Sequence, residues 1–217
     1  MWGGIVAFIF VNPLIMCQQQ QRVNVENAFH MNAMIKSIFV ALCSHATLLC
    51  HALRFIRARD VLALLAGYYF TSFELFDAGQ LIARRRFRTD LLVHHTVHAL
   101  LGLYAIHRFE TTRATGDQEA ATSCCVSASV LMTQEVSSIW LNQHLANKHD
   151  MNSLFLFARL FLLWRVIGLG FYIFFFLGAS DDPPMAAGVI ASWCMQLMWA
   201  SHPKMRALRN GETVKIN

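Results

Sequence analysis

The sequence predicts an all-α fold: a polytopic transmembrane helix bundle of six to seven spans around a polar cavity. Hydrophobic residues make up 56% of the 217 residues and charged residues only 14%, and the mean hydropathy is +0.42. This balance is far from that of ordinary soluble domains. Weakly charged stretches, each near the roughly 20 residues that cross a bilayer as a helix, recur along the chain. They lie at 28–53, 61–82, 91–107, 119–145, 151–178 and 185–202.

A seventh apolar stretch lies at residues 2–16 (WGGIVAFIFVNPLIM). It is short and contains Pro13, and we expect it to form a first span. A cleaved signal peptide is the alternative. No basic region precedes the apolar run, however, and the following CQQQQR offers no clear small-residue cleavage site.

The basic residues in the connectors predict the orientation of seven spans. One side would carry ten of them: Arg22, Arg84, Arg85, Arg86, Arg88, Lys148, Lys204, Arg206, Arg209 and Lys215. The other side would carry five: Arg54, Arg57, Arg59, Arg108 and Arg113. Because cytosolic connectors are the richer in Lys and Arg, we expect a cytosolic C-terminus and a lumenal N-terminus.

Composition also argues against two other classes of protein. The formal charge of +5 could suggest a nucleic-acid partner, but the arginines lie in short connectors, which is typical of membrane topology. The six cysteines fall mostly inside apolar stretches and form no CxxC pair, so we interpret them as small core residues. They are Cys17, Cys43, Cys50, Cys124, Cys125 and Cys194.

Six charged side chains lie well inside the predicted spans: Lys36, Glu74, Asp77, Glu135, Arg159 and Arg165. Each would cost roughly 2.5–3.5 kcal/mol unpaired at the centre of a span. Six such costs exceed the net stability of a typical fold. We therefore expect these side chains to face inward, and most of them to be paired or hydrated.

The spacing of the polar residues predicts three stripes. Glu74 and Asp77 are three apart, and Glu135, Ser138 and Asn142 follow one another at intervals of three and four. Asp90, His94 and His98 are spaced by four, with His95 about 100° away. We expect the stripes to converge on one cavity, with Arg165 as a candidate counter-ion. The alternative is structural: buried histidines and ion pairs also fix helix packing.

Three segments resemble the TLC-domain family of multi-pass membrane proteins, which includes ceramide synthases, translocating-chain-associated proteins and regulators of lipid composition. They are YYFTSFELFD (68–77), DLLVHHTVH (90–98) and QEVSSIWLNQH (134–144), with Arg165 in the next span. The resemblance covers about residues 28–205. It implies an N-terminal short span and connector (1–27), a TLC-like domain (28–205) and a cytosolic tail (206–217).

One segment departs from the ceramide synthases. Where these carry His-Asp-x-Ser-Asp, this chain has Gln134, Glu135, Val136, Ser137 and Ser138. The first acid is kept as Glu135 and the second is replaced by Ser138. The resemblance therefore points to the non-synthase, lipid-homeostasis members, in an endoplasmic reticulum or other secretory-pathway membrane.

Three functions remain open at this point. The first is binding or regulation of membrane lipids in the intramembrane cavity, without a cofactor and without nucleic acid. The cavity would be lined by Glu74, Asp77, Asp90, His98, Ser138, Asn142 and Arg165. The second is an acyltransferase resembling ceramide synthase, with acyl-CoA as co-substrate and His94, His95 and Glu135 as catalytic residues.

The third is a membrane di-iron hydroxylase, suggested by the HHTVH cluster at 94–98 because imidazoles three or four apart on a helix can share a metal. Such enzymes use several histidine-rich boxes. The other near-cluster here is His144 with His149, five apart and across an expected helix end. We therefore assign no metal ligands.

Overall fold

The computed structural model describes residues 25–83, 89–147, 150–176 and 182–212, without the side chains of residues 25, 26, 83 and 90. This part of the chain is helical throughout, with short connectors and no strand. The predicted span at 2–16 lies outside it. In chain order the helices are α1 Val25–Ala52, α2 Ile56–Ala83, α3 Thr89–Thr115, α4 Gln118–Met132, α5 Glu135–Ala146, α6 Met151–Leu160, a π-helical segment Phe161–Gly168, α7 Leu169–Phe175, α8 Pro183–Ser201 and α9 Pro203–Arg209.

Aspartates cap the starts of three helices. Asp117 caps α4, and Asp182 caps α8 ahead of a proline at the first helical position. Asp150 caps α6 by accepting from the Ser153 hydroxyl at 2.5 Å and from its backbone amide at 3.1 Å. These two bonds hold the pKa of the Asp150 carboxyl below its usual range, and the bond from the Ser153 hydroxyl has the larger effect. Each of these three helices therefore begins at a defined residue.

Four helical stretches of the described chain are long and apolar enough to cross a membrane. They are Asn27–Ala52, Ile56–Ile82, Gln118–Ala146 and Met151–Phe175. They agree with four of the six predicted stretches at 28–205. The helices α3 and α8, at the other two stretches, are not among these four, because ionisable or strongly polar side chains interrupt their apolar sequence.

The helices pack as a single bundle in which α1 contacts α2 and α5, α2 contacts α3, and α3 contacts α4 and α8. A glycine sets the distance between α2 and α3. A Cβ atom at Gly102 would lie 2.1 Å from the Thr71 Oγ1, so only a glycine permits this approach. The close packing brings the polar faces of α2 and α3 into contact.

Two irregular segments interrupt the predicted spans. The stretch at 119–145 is divided at Thr133 and Gln134, between α4 and α5. Backbone hydrogen bonds to the third preceding residue interrupt the α-helical pattern there, although both residues keep right-handed helical backbone angles. The stretch at 151–178 contains the π-helical segment between α6 and α7. Sequence periodicity did not predict either feature, and both lie beside Ser137 and Ser138, which contact Arg165.

The outer surface of the bundle exposes large apolar side chains, as contact with lipid requires. Leu42, Leu100 and Phe174 are 67%, 60% and 72% exposed. Arg159 is also exposed, so the expectation that it faces inward is wrong. Arg159 lies in the first half of the stretch Met151–Phe175, and its long aliphatic stem suits a side chain whose charged end reaches toward the membrane surface.

Candidate functional site: a buried charged cluster

Lys36 of α1 forms two buried ion pairs, one with α2 and one with α5. Its Nζ lies 2.8 Å from the Glu135 Oε2 and 3.4 Å from the Glu74 Oε1. Ser37 donates a second hydrogen bond to the same Glu135 oxygen at 2.6 Å. The Lys36 ammonium also lies 4.7 Å from the centre of the Phe73 ring. Lys36 therefore compensates Glu135 and shares the compensation of Glu74 with a histidine of α3.

His95 lies between two carboxylates of α2. Its Nδ1 is 2.6 Å from the Glu74 Oε2, and its Nε2 is 3.0 Å from the Asp77 Oδ2. A neutral imidazole has one N–H and can donate to only one of them, whereas an imidazolium donates to both. The geometry therefore fits a doubly protonated His95 that acts as a third cation beside Lys36 and Arg165.

Arg165 projects from the π-helical segment and is 6% exposed. Its Nε donates to the Ser137 Oγ at 2.7 Å, and an NH2 nitrogen donates to the Ser138 Oγ. No carboxylate of the described residues lies within ion-pair distance of its guanidinium. Arg165 therefore interacts with Glu135 and Glu74 only over a longer distance, and Lys36 is the residue that forms direct ion pairs with both carboxylates.

The six ionisable residues that these contacts bring together balance in charge. With His95 protonated, Lys36, His95 and Arg165 supply three positive charges, and Glu74, Asp77 and Glu135 supply three negative charges. We call these six residues the charged cluster. Its neutrality explains how it can be buried in an apolar bundle, because an unbalanced buried charge would be far more costly.

The other two histidines of α3 adjoin the charged cluster. The rings of His94 and His98 are 4.0 Å apart, centre to centre. His98 Nε2 lies 3.0 Å from the Ser192 Oγ of α8, and the His94 ring packs against Trp199 at 4.8 Å. His94 is buried, and its Nδ1 has no hydrogen-bond partner in the described chain. One ring nitrogen of His94 is therefore available for a ligand or water.

One predicted residue, Asn142, stands apart from these contacts. The Asn142 amide donates at 2.9 Å to the backbone carbonyl of Ser138 in its own helix, so it takes no part in the charged cluster. The side chain of Asp90 lies outside the described residues. The remaining predicted residues, which are Glu74, Asp77, His94, His95, His98, Glu135, Ser138 and Arg165, lie in or directly beside the charged cluster.

Sequence reasoning predicted that Lys36 faces inward but did not place it among the cavity residues, and it left Ser192 and Gln196 out of the candidate set. Lys36 and Asn32 are four residues apart on α1, and Ser192 and Gln196 are four apart on α8. Each pair forms a polar stripe on an otherwise apolar helix. The same spacing rule that identified the stripes of α2, α3 and α5 would therefore have found these two.

An apolar cavity of about 40 Å³ adjoins the cluster between α2, α3, α4 and α8. Phe70 connects the two features, because its ring lines the cavity and lies 5.4 Å from the Lys36 ammonium. Small residues form much of its wall: Ala63, Gly67, Gly102, Ala105 and Ala128. The polar side chains thus pack against one another, and the open space lies beside them.

The described residues contain no group of three or more His, Cys, Asp or Glu side chains arranged to hold a metal ion. His144 contacts the backbone carbonyl of Asp150 at 2.9 Å, and His149 lies outside the described chain. The di-iron hypothesis therefore gains no support from the described residues.

Comparisons with protein-family models, with curated proteins and with solved structures gave no match to this chain. The TLC resemblance therefore remains a prediction that rests on the three sequence segments and Arg165.

Proposed function

We propose that this chain is a multi-pass membrane protein of lipid homeostasis that binds a membrane lipid inside its helix bundle. The headgroup would lie at the charged cluster and a segment of acyl chain in the apolar cavity. The observation that carries the proposal is the direct contact between these two features through Phe70. A lipid combines the same two chemistries, a polar end and an apolar chain, in one molecule.

The proposal includes six spans around the cluster, with α3 and α8 crossing the membrane beside the four apolar stretches. Both helices contribute buried faces to the interior, since His98 of α3 contacts Ser192 of α8. Intramembrane ionisable residues tend to face a bundle interior and to mark function. Residues 2–16 would form a seventh span, and the membrane would be that of the endoplasmic reticulum or another secretory compartment.

Gly67 supports the view that the cavity is kept open for a ligand. It lines the cavity in the middle of α2, where glycine costs roughly 1 kcal/mol relative to alanine. A Cβ at this position would meet the Ile106 Cγ1 at 3.4 Å, an ordinary contact. Packing therefore does not require a glycine here, and a larger residue would both stabilise α2 and fill the space.

The experiment compares two glycines of the same helix in cells that produce raised amounts of the protein. We expect the wild-type protein to shift membrane acyl-chain or phospholipid composition, measured by lipid mass spectrometry. Gly67→Leu should abolish the shift because the side chain fills the cavity. Gly79→Leu is the matched control, because a Cβ there meets nothing within 4 Å.

Two results would count against lipid binding in the cavity. One is an unchanged lipid composition on production of the wild-type protein. The other is a full shift with Gly67→Leu at equal protein abundance.

An acyltransferase with acyl-CoA as co-substrate is a second candidate, which the free nitrogen of His94 favours. A lipid amine or hydroxyl would attack the thioester carbonyl, its proton would pass to His94, and the CoA thiolate would leave. His95 is less suited to act as base because Glu74 and Asp77 occupy both of its nitrogens. Glu135 would act through the charged cluster.

We expect the purified protein not to join fatty acyl-CoA to a sphingoid base at the rate of a synthase. Ser138 supplies a hydroxyl to Arg165 where a ceramide synthase has a carboxylate, and lost electrostatic help typically costs orders of magnitude in rate. An acyl-transfer assay decides, with His94→Ala as the blank. His95→Ala is unsuitable as a blank because it would strand two carboxylates. Robust transfer that His94→Ala abolishes would establish the acyltransferase instead.

A further inference from the structure

Gln196 is a fully buried amide in the middle of an apolar helix. Its side chain is 0% exposed, and neither its amide nitrogen nor its amide oxygen has a hydrogen-bond partner in the part of the chain that the structure describes. An unsatisfied buried amide is strongly unfavourable, and more so where no water competes. Gln196 is therefore either satisfied by a bound molecule or an unexplained cost to the fold.

Contacts of the neighbouring residues show where Gln196 points. On α8, Ser192 contacts His98 and Trp199 contacts His94, so this side of the helix faces α3. Trp193 donates at 2.8 Å to the Val166 carbonyl, so a second side faces the π-helical segment. At 100° per residue, Gln196 lies between these two directions. Its amide is directed into the seam between α3 and the π-helical segment.

Two polar groups border the same seam. His94 presents the Nδ1 that has no partner in the described chain. Arg165, one residue before Val166, lies close enough to interact electrostatically with both His94 and His98. Its guanidinium has five N–H donors, and two of these donate to the hydroxyls of Ser137 and Ser138. The seam is therefore bordered by hydrogen-bonding groups that the described residues leave without partners.

We infer that Gln196, with His94 and Arg165, forms a hydrogen-bonding subsite for an uncharged lipid headgroup that carries a hydroxyl beside an ester carbonyl. The inference rests on the proposed function and narrows its ligand. The charged cluster is already neutral, so an anionic or cationic group would enter unbalanced. The amide offers two donors to a carbonyl, and its oxygen, with His94 Nδ1, can accept from a hydroxyl.

The test is a titration of the purified full chain in detergent micelles with dioleoylglycerol, which is uncharged. Dioleoylphosphatidylcholine and dioleoylphosphatidic acid are the zwitterionic and anionic comparisons. The readouts are the Tm and the dissociation constant from its ligand-dependent shift. The variants are Gln196→Leu, its less branched alternative Gln196→Met, and Met198→Leu as a control, since Met198 is exposed on the same helix.

We expect dioleoylglycerol to raise the Tm of the wild-type protein and of Met198→Leu. Gln196→Leu should bind it at least about tenfold more weakly, as loss of one or two buried hydrogen bonds requires. Its Tm without ligand should be equal or higher, because the variant removes an unsatisfied amide. Gln196→Met should behave in the same way.

Three results would overturn the inference. The first is a lower ligand-free Tm in both Gln196 variants with unchanged dioleoylglycerol binding, which would make Gln196 structural. The second is stabilisation by phosphatidylcholine or phosphatidic acid alone, which overturns the uncharged headgroup but leaves the proposed function standing. The third is no stabilisation by any of the three lipids, which counts against both.

Discussion

Among single residues, Lys36 connects carboxylates of two different helices in the buried region. It compensates Glu135 and Glu74 at the same time, and it is 4% exposed. Two carboxylates buried in an apolar bundle repel each other and lose their hydration, so one well-placed ammonium between them has a disproportionate effect. The position of Lys36 inside a predicted span indicated that it is paired, and the fold shows which carboxylates it pairs with.

The pairing of Lys36 with Glu135 predicts a non-additive mutant cycle. We expect Lys36→Met and Glu135→Gln each to lower the free energy of unfolding by about 3–5 kcal/mol, since each leaves the charged cluster with an uncompensated buried charge. The double variant should lose clearly less than the sum. Unfolding in mixed micelles measures all four proteins. Additive losses would show that the two side chains do not interact.

The position of His95 between two carboxylates predicts its protonation. We expect both ring nitrogens to carry a proton, because each faces a carboxylate oxygen. Solid-state NMR of ¹⁵N-histidine-labelled protein distinguishes an imidazolium from the neutral tautomers, and His95→Gln assigns the signal. A neutral tautomer at His95 would contradict the three-against-three balance of the charged cluster.

Among the helices, the contact between α2 and α3 depends on Gly102. We expect Gly102→Ala to lower the free energy of unfolding by about 1–3 kcal/mol, because its Cβ would overlap the Thr71 hydroxyl. Thr71→Ala should recover part of the loss, since that hydroxyl has no partner in the described chain. Gly79→Ala, in open space on α2, should stabilise slightly. Equal effects at both glycines would contradict the close approach.

The sequence predicted the helices well because the length of an apolar stretch can be read directly from neighbouring residues in the chain. The stretches at 28–53 and 185–202 differ from α1 and α8 by only a few residues at their ends. The turn between α4 and α5 and the π-helical segment were not predicted. Both replace regular backbone hydrogen bonds within a continuous apolar sequence, and only packing against neighbouring helices selects them.

The sequence predicted which polar faces carry the charged cluster, but not which atoms pair. Spacing by three and four placed Glu74 beside Asp77 and His94 beside His98 on common faces. The partners across helices depend on the rotation and depth of each helix. The sequence indicated Arg165 as a counter-ion, whereas the fold places Lys36 in direct contact with Glu135 and Glu74.

For the whole molecule, the basic residues of the connectors predict the orientation. We expect a tag at the C-terminus to be digested by protease added to the cytosolic side of sealed vesicles, and a tag at the N-terminus to be protected. Solubilised vesicles, in which both tags are digested, are the control. A protected C-terminal tag would reverse the orientation. Two tags on one side would mean an even number of spans, with residues 2–16 not crossing.

The central claim is that a membrane lipid occupies the interior of this bundle. Native mass spectrometry of the protein released from its membrane tests it most directly, by counting lipids that remain bound. We predict one tightly retained lipid on the wild-type protein and on Gly79→Leu, and its loss from Gly67→Leu, whose side chain fills the cavity beside the charged cluster. Equal lipid retention by Gly67→Leu and Gly79→Leu, or no retained lipid on any of the three, would contradict the claim.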